Sequence, residues 1–331
     1  LSSDNNYGPM MYITLHSILR NANSGTCYDF HLLVPSDFSE KYRHAIGDLC
    51  KRYPCRVTFV DMGERMKNVK REKYGVPTFY RLLAAEVLPD RQKCICLDVD
   101  IIVRHDLGKL YGIDLGDCYV GGARDVAFEI LDKNYALAIA PKKSDGWINA
   151  GVLLMNLDAI RRDGMTEKWV AMSEHGMDGK RPFRLADQDV INISCSGKIK
   201  FIGPKFNMLA STFPICTASA DNRRCYEEAF GSKPLSIAME DPYIIHFAGK
   251  KPWKQTYDDP FVNEWWFFCR KSPFYEKFSH LCVARNSALR YSTLNYCRYR
   301  ILTYFSSGDK KTRHGEKALE VAYGMKMEKA K

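Results

Sequence analysis

Asp98-Val99-Asp100 closes an apolar run, Lys93-Cys94-Ile95-Cys96-Leu97. Two carboxylates one residue apart converge on a divalent cation once the strand carrying them bends into a loop. Such oxygen ligands suit Mg²⁺ or Mn²⁺ shared with the phosphates of a substrate. Taken alone, such a pair is more often a solvated strand end. His246 ends a second apolar run and opens His246-Phe247-Ala248-Gly249-Lys250-Lys251-Pro252-Trp253. A lone histidine there is commonly a satisfied packing residue, but its neighbours have chemistry of their own. Gly249 permits close backbone approach, and Lys250 and Lys251 offer cations to an anion. An imidazole and two carboxylates make a donor set for Mn²⁺, with phosphate oxygens completing it.

Such residues need rigid elements behind them. Leu1-Ser2-Ser3 reads as the last residues of a strand whose beginning is absent, followed by a turn at Asp4-Asn5-Asn6-Tyr7-Gly8-Pro9 and a helix to about Asn21. Phe30 to Val34 and Arg56 to Val60 read as strands, with a helical pattern from Phe38 to Tyr53 between them. Thr78 to Leu88 reads as a helix stopped by Pro89. The apolar run 93–97 suits a central strand covered on both faces. Tyr119 to Gly122, Gly151 to Met155, Lys200 to Ile202 and Tyr243 to Phe247 are further strands, and Leu185 to Ile193 is helical in pattern. Strands alternating with helices predict an α/β architecture with a mostly parallel sheet. The character changes at Pro260: Trp265 to Phe268 precede basic, Tyr-rich, helical sequence. Residues 1–259 are therefore expected to form one domain and 260–331 an aromatic, basic extension with a loose tail from Ser306.

The 331 residues carry 46% hydrophobic and 27% charged side chains, values that disfavour a disordered or fibrous chain. No stretch of about 18 apolar residues predicts a membrane-spanning helix, and no export leader is evident. Twelve cysteines without Cys-x-x-Cys spacing in a long chain read as reduced, mostly buried thiols, which fits the cytoplasm. Residues 281–331 hold eleven basic and four acidic side chains, so this segment carries seven of the ten net positive charges. The segment from Arg285 to Phe305 interleaves arginines with apolar residues. It fits a helix lying on an anionic membrane surface, or an ordinary packed helix with a solvated face. No nucleic-acid recognition motif accompanies the charge.

Four more segments complete a pattern: Asp4-Asn5-Asn6-Tyr7, Thr78-Phe79-Tyr80-Arg81, Asn149-Ala150-Gly151-Val152-Leu153-Leu154-Met155-Asn156 and Ala186-Asp187-Gln188-Asp189-Val190-Ile191-Asn192. With the Asp-x-Asp and histidine segments, over about residues 1–255, this set resembles glycosyltransferase family 8. That family includes bacterial lipopolysaccharide galactosyl- and glucosyltransferases, and glycogenin is a distant relative. The resemblance implies a GT-A fold, a UDP-hexose donor, Mn²⁺ and retention of anomeric configuration. It implies Asp98, Asp100 and His246 as metal ligands. Ser2, Asp4, Asn6 and Tyr7 would lie around uracil and ribose, and Gly249 and Lys251 around the diphosphate. The His246–Lys251 spacing is one residue shorter than in some members, which leaves Lys250 and Lys251 both open. Arg81 would stand near the donor sugar, with Asp125, Asn149, Ala150, Asp187 and Gln188 forming the sugar pocket.

The expected reaction follows from charge. A nucleoside diphosphate leaves, so cations must neutralise it as the anomeric bond breaks. Retaining hydrolases use a carboxylate nucleophile close to the acid, whereas the residue that the resemblance implies facing the anomeric carbon is Gln188, a poor nucleophile. Same-face attack by the acceptor hydroxyl is the favoured route. The acceptor is expected to be a glycan or lipid-linked intermediate of surface polysaccharide synthesis, met at the cytoplasmic membrane face. The alternatives are a sugar-nucleotide hydrolase or nucleotidyltransferase, and an inactive sugar-nucleotide-binding fragment.

Overall fold

The computed structural model describes residues 1–139, 146–254, 261–283 and the single positions 297, 300, 301, 304 and 318. It separates into two units, Leu1–Ala248 and Gly249–Lys331. In the first unit the elements run α1 (Gly8–Arg20), β1 (Tyr28–Val34), α2 (Glu40–Cys50), β2 (Cys55–Asp61), a 3₁₀ helix (Val76–Leu83), α3 (Ala84–Val87), β3 (Lys93–Leu97) and β4 (Ile101–Val103). They continue with α4 (Gly108–Tyr111), β5 (Val120–Arg124), α5 (Val126–Leu131), α6 (Lys133–Ile139), β6 (Ile148–Asn156), α7 (Leu157–Arg162), α8 (Met165–His175) and α9 (Asp187–Ser194). Then come β7 (Ile199–Ile202), a 3₁₀ turn (Pro204–Phe206), β8 (Met208–Leu209), α10 (Thr212–Ala218), α11 (Ala220–Phe230), α12 (Ser232–Glu240) and β9 (Ile244–His246).

The strands form three sheets in the orders β1-β2, β3-β6-β5-β7 and β4-β9-β8. Pairings β1–β2, β5–β7 and β8–β9 are parallel, while β6 runs antiparallel to both its neighbours and β4 antiparallel to β9. Ser2 bridges to Leu33 in parallel, so residues 1–3 run alongside β1. β6 is buried from Ile148 to Met155, as the apolar run Ala150 to Met155 within it requires. Leu82, Leu83, Leu153, Met155, Trp169, Val190 and Ile191 meet in one cluster between this sheet and its helices. Each such side chain contributes about 1.5–3 kcal/mol by leaving water.

Two local expectations change. Thr78–Leu88 is not one α-helix: a 3₁₀ helix opened by Pro77 gives way to a single α turn. Its residues Phe79 to Leu83 are all buried, so packing against neighbours rather than i→i−4 bonding decides the winding. β3 is not central among the described residues. It bonds only β6, and Lys93 to Cys96 are half-buried. An apolar run reports side-chain burial, not the number of bonded neighbours.

The second unit contains α13 (Val262–Arg270) and α14 (Tyr275–Val283). Trp265, Trp266, Phe267 and Phe268 are all buried, and Trp265 packs against Trp253 with ring centroids 5.3 Å apart. The basic segment 285–305 lies outside the described residues, apart from Cys297, Arg300, Ile301 and Tyr304, which are helical and exposed. The tail from Ser306 is likewise outside them except for Ala318. The eleven cysteines other than Cys282 are free, four of them buried, four half-buried and three exposed. No described helix is long and apolar enough to cross a membrane.

Candidate active site

The antiparallel pairing of β3 with β6 continues one step past Leu97, where Asp98 N–H donates to Gly151 O at 2.8 Å. The chain then bends and re-enters as β4, whose Ile101 lies opposite His246 on β9. Phe247 N–H donates to Asp100 O, which locks that crossing. Thr14 on the buried face of α1 supports the bend, its hydroxyl 2.9 Å from Val99 O and 3.0 Å from Ile101 O. Residues almost 150 positions apart are thereby brought together: His246 Nε2 lies 3.5 Å from Asp98 Oδ2 and 3.2 Å from Asp100 Oδ1. All three donor atoms fall within 4.8 Å of one another.

The donor set fits a divalent cation. Cis ligands of an octahedral ion at about 2.1 Å stand about 3 Å apart, close to the two separations seen. Two carboxylate oxygens and one imidazole nitrogen this close together suit Mn²⁺ or Mg²⁺ chemistry better than a thiolate-loving metal.

Arg81 sits beside this cluster with a side chain only 6% exposed. Its guanidinium bonds Asp98 Oδ1 and the carbonyl of Ala150, and its Nε lies 2.9 Å from Asp187 Oδ2. That third contact is an ion pair rather than an aligned hydrogen bond, because the N–H is not aimed at the oxygen. Burial pushes the Asp187 carboxyl up to about 7 against the pull of Arg81, and Asp98 adds to the rise. Arg81 itself is held protonated by its two carboxylates. It works as a clamp on the Asp-x-Asp and on the first residue of α9.

A second set of side chains fills the floor. Gly122 on β5 faces Leu153, yet Arg124, two residues on, faces Ile148, five residues back. This irregularity leaves β6 N–H groups available to side chains, a common device near active sites. Ala150 N–H donates to Gln188 Oε1 at 3.0 Å and Gly151 N–H to Asn149 Oδ1 at 2.9 Å. Asn149 Nδ2 and Gln188 Nε2 both donate to Asp125 Oδ2, at 3.0 and 3.3 Å. Phe128 N–H donates to Asp125 Oδ1, so Asp125 also caps α5. Burial raises the Asp125 carboxyl, opposed by these donors.

Of the residues expected from sequence, Asp98, Asp100, His246, Arg81, Asp125, Asn149, Ala150, Asp187 and Gln188 thus form one contiguous group. Ser2, Asp4, Asn6 and Tyr7 have local roles. Ser2 is in the ladder with Leu33, and Asp4 accepts from the N–H groups of Asn6 and Tyr7 and from Asn6 Nδ2. Asp4 Oδ2 also lies beside Gly75, at the start of the 3₁₀ helix that carries Arg81. Gly249 and Lys251 belong to the second unit, where Lys251 Nζ stands 6.0 Å from the Trp253 ring centre.

Two contributors escaped sequence reasoning. Asn207, 4% exposed and just before β8, bonds His246 Nδ1 and Asn149 Oδ1. Gly151 lies under the His246 ring. The glycine could have been found from its place inside an apolar strand, a recognised sign of close approach; Asn207 has no such signal.

Comparison with known proteins gives the family and the fold. The model of the family "Glycosyl transferase family 8" matches residues 1–257. A putative glycosyltransferase of Haemophilus influenzae is 27% identical over 62% of this chain and 61% of its own length. The lipopolysaccharide 1,3-galactosyltransferase of Salmonella typhimurium is 24% identical over 59% of this chain and 58% of its own. The chain spans about three fifths of the length of these two curated relatives. Two crystal structures of LgtC, one an active-site glutamine-to-glutamate mutant and one a complex with donor and acceptor sugar analogs, superpose with TM-scores of 0.70 and 0.66. They cover 82% of this chain and 95% of that one at 23% and 24% identity, a likeness of fold. The expected GT-A, mixed α/β architecture stands, and the chain belongs to glycosyltransferase family 8.

Proposed function

We propose that the protein transfers a hexose, with retention of anomeric configuration, from a UDP-sugar to a glycan or lipid-linked acceptor in lipopolysaccharide-type synthesis. The observation that carries this reading is the meeting of Asp98, Asp100 and His246 beside the buried Arg81–Asp187 pair. Asp98, Asp100 and His246 would hold the divalent cation, Mn²⁺ or Mg²⁺, which when bound would offset negative charge on the departing diphosphate. Arg81 fixes the Asp98 carboxylate so that its other oxygen faces the cluster.

Gln188 would face the sugar. Its amide is already oriented by the Ala150 N–H and by Asp125, and a carboxamide oxygen is a weak nucleophile. Attack by the acceptor hydroxyl on the face the diphosphate leaves fits this better than a covalent intermediate, with the departing phosphate oxygen taking the hydroxyl proton. LgtC, whose crystal structures include an active-site glutamine mutant and a complex with donor and acceptor analogs, supports the assignment by analogy of fold. A cleft lined by Arg71, Tyr74, Tyr135, Arg184, Leu185 and Ala186 adjoins Asp187, and we assign it to the acceptor. Asp4, Asn6 and Tyr7 would meet the nucleoside and Lys251 the diphosphate. A site on the cytoplasmic membrane face, reached through the basic C-terminal segment, belongs to the same proposal.

The test is UDP release with a panel of UDP-hexoses, with and without a truncated lipopolysaccharide acceptor, in Mn²⁺ and in EDTA. Transfer predicts release that needs both acceptor and metal. Release without acceptor would replace the reading with hydrolysis, and no release from any donor would leave a binding module.

A further inference from the structure

We propose that Asn207 is a positioning residue that keeps a proton on His246 Nδ1 and so presents the bare Nε2 lone pair to the cation. The inference rests on the reading of His246 as a metal ligand, but its core is a hydrogen-bond constraint that begins at the backbone.

A main-chain N–H can only donate. Gly151 N–H lies 2.9 Å from Asn149 Oδ1, so the atom there is the carbonyl oxygen. The same oxygen faces Asn207 Nδ2 at 2.9 Å, so Asn207 must turn its NH₂ group toward Asn149. Its carbonyl oxygen is then the atom 3.0 Å from His246 Nδ1, and an acceptor in that place requires Nδ1 to carry hydrogen. A neutral imidazole has one N–H, so Nε2 is left with a lone pair, directed at the space shared with Asp98 Oδ2 and Asp100 Oδ1. Asn207, Asn149 and His246 are each less than a tenth exposed, so water cannot readily substitute for these bonds.

Placement of Asn207 follows from β8–β9 pairing. Met208 faces Ile245 and Leu209 faces His246, and Ala210 N–H donates to His246 O. The asparagine at the head of β8 therefore reaches the imidazole from beside its own strand. At its other end the chain of amides reaches Asp125, the carboxylate that also orients Gln188. One backbone N–H on β6 thus orders groups at both the metal ligand and the sugar pocket.

The experiment compares Asn207→Leu with Asn207→Asp in the full chain. Both variants lose the donor to Asn149, but only the aspartate keeps an acceptor for Nδ1–H. Mn²⁺ affinity is measured by calorimetry, and the protonation of His246 nitrogens by ¹⁵N NMR of histidine-labelled, metal-free protein above pH 8. Wild type is expected to show Nδ1 protonated. Asn207→Leu should shift the proton to Nε2 and weaken Mn²⁺ binding about 10- to 100-fold, the usual effect of removing a ligand's supporting partner. Asn207→Asp should retain both the Nδ1 proton and most of the affinity. Equal losses in the two variants, or a wild-type His246 protonated at Nε2 alone, would overturn the proposal. The NMR result is independent of metal, so a wild-type chain that binds no Mn²⁺ would sink the metal reading without masking the tautomer.

Discussion

Gly151 lies directly beneath the His246 imidazole: a methyl group at that position would overlap the ring, 2.8 Å from Nδ1, and stand 2.9 Å from Asp98 Oδ2. Two ligands of the candidate metal site therefore depend on a missing side chain in β6. Gly151 is not in the left-handed region, so its role is space rather than backbone freedom.

Gly151→Ala is expected to fold, at a cost of about 1–3 kcal/mol from overpacking, while moving His246 and Asp98 apart. Mn²⁺ affinity should fall at least about tenfold and transfer with it. Urea unfolding and calorimetry on the same sample check both parts; unchanged affinity would contradict the close packing.

Arg81, itself buried, neutralises the buried Asp187 and the partly exposed Asp98 together. Arg81→Ala leaves both carboxylates without their cation and should destabilise the protein by about 3–5 kcal/mol. Arg81→Lys restores charge but not the planar, multiply bonded fork, and should recover part of the stability with little of the activity. A loss below about 1 kcal/mol in Arg81→Ala would place the residue outside the clamp described.

The Asp187 carboxyl is raised to about 7 by burial, against about 3.9 in an unfolded chain. The folded protein thus holds a proton that the unfolded chain gives up. This group favours the folded state most below about pH 4, and the advantage is lost as pH rises from about 4 to 7. In EDTA, Asp187→Asn should flatten that part of the stability–pH curve. Melting temperatures across pH 4.5 to 8 with the same slope as wild type would refute it.

Gln188→Ala removes an oriented dipole, not a nucleophile, and should lower kcat on the order of 10²-fold without abolishing transfer. Complete inactivity with normal folding would point instead to a covalent role for that position, and unchanged turnover would remove it from the site.

Parts of this site can be read directly from the chain. Asp98, Asp100 and His246 stand at the ends of apolar runs, and the burial of those runs follows from local pattern; that Asp100 and His246 are themselves buried does not. Most strands around them were visible for the same reason, as was α9, with boundaries within three residues, but β4 and β8, which flank the strand of His246, were not. Helices α10 to α12 were not visible. In α11 only Tyr226 is buried, so there is little apolar stripe to find. The winding of residues 76–87 also escaped, because neighbours packed around Phe79 to Leu83 decide it.

The sequence by itself determined the chemistry: two carboxylates and an imidazole at strand ends, an arginine, and amide-bearing segments resembling a known family. Only the tertiary structure decided which groups face one another and in what state. Hydrogen-bond direction and close contact have no sequence period. Asn207 acquires its role because β8 lies beside β9, and Gly151 because His246 packs on it from about 95 residues away along the chain. Long-range strand pairing sets these contacts, and pairing is a property of the folded sheet rather than of any segment in it.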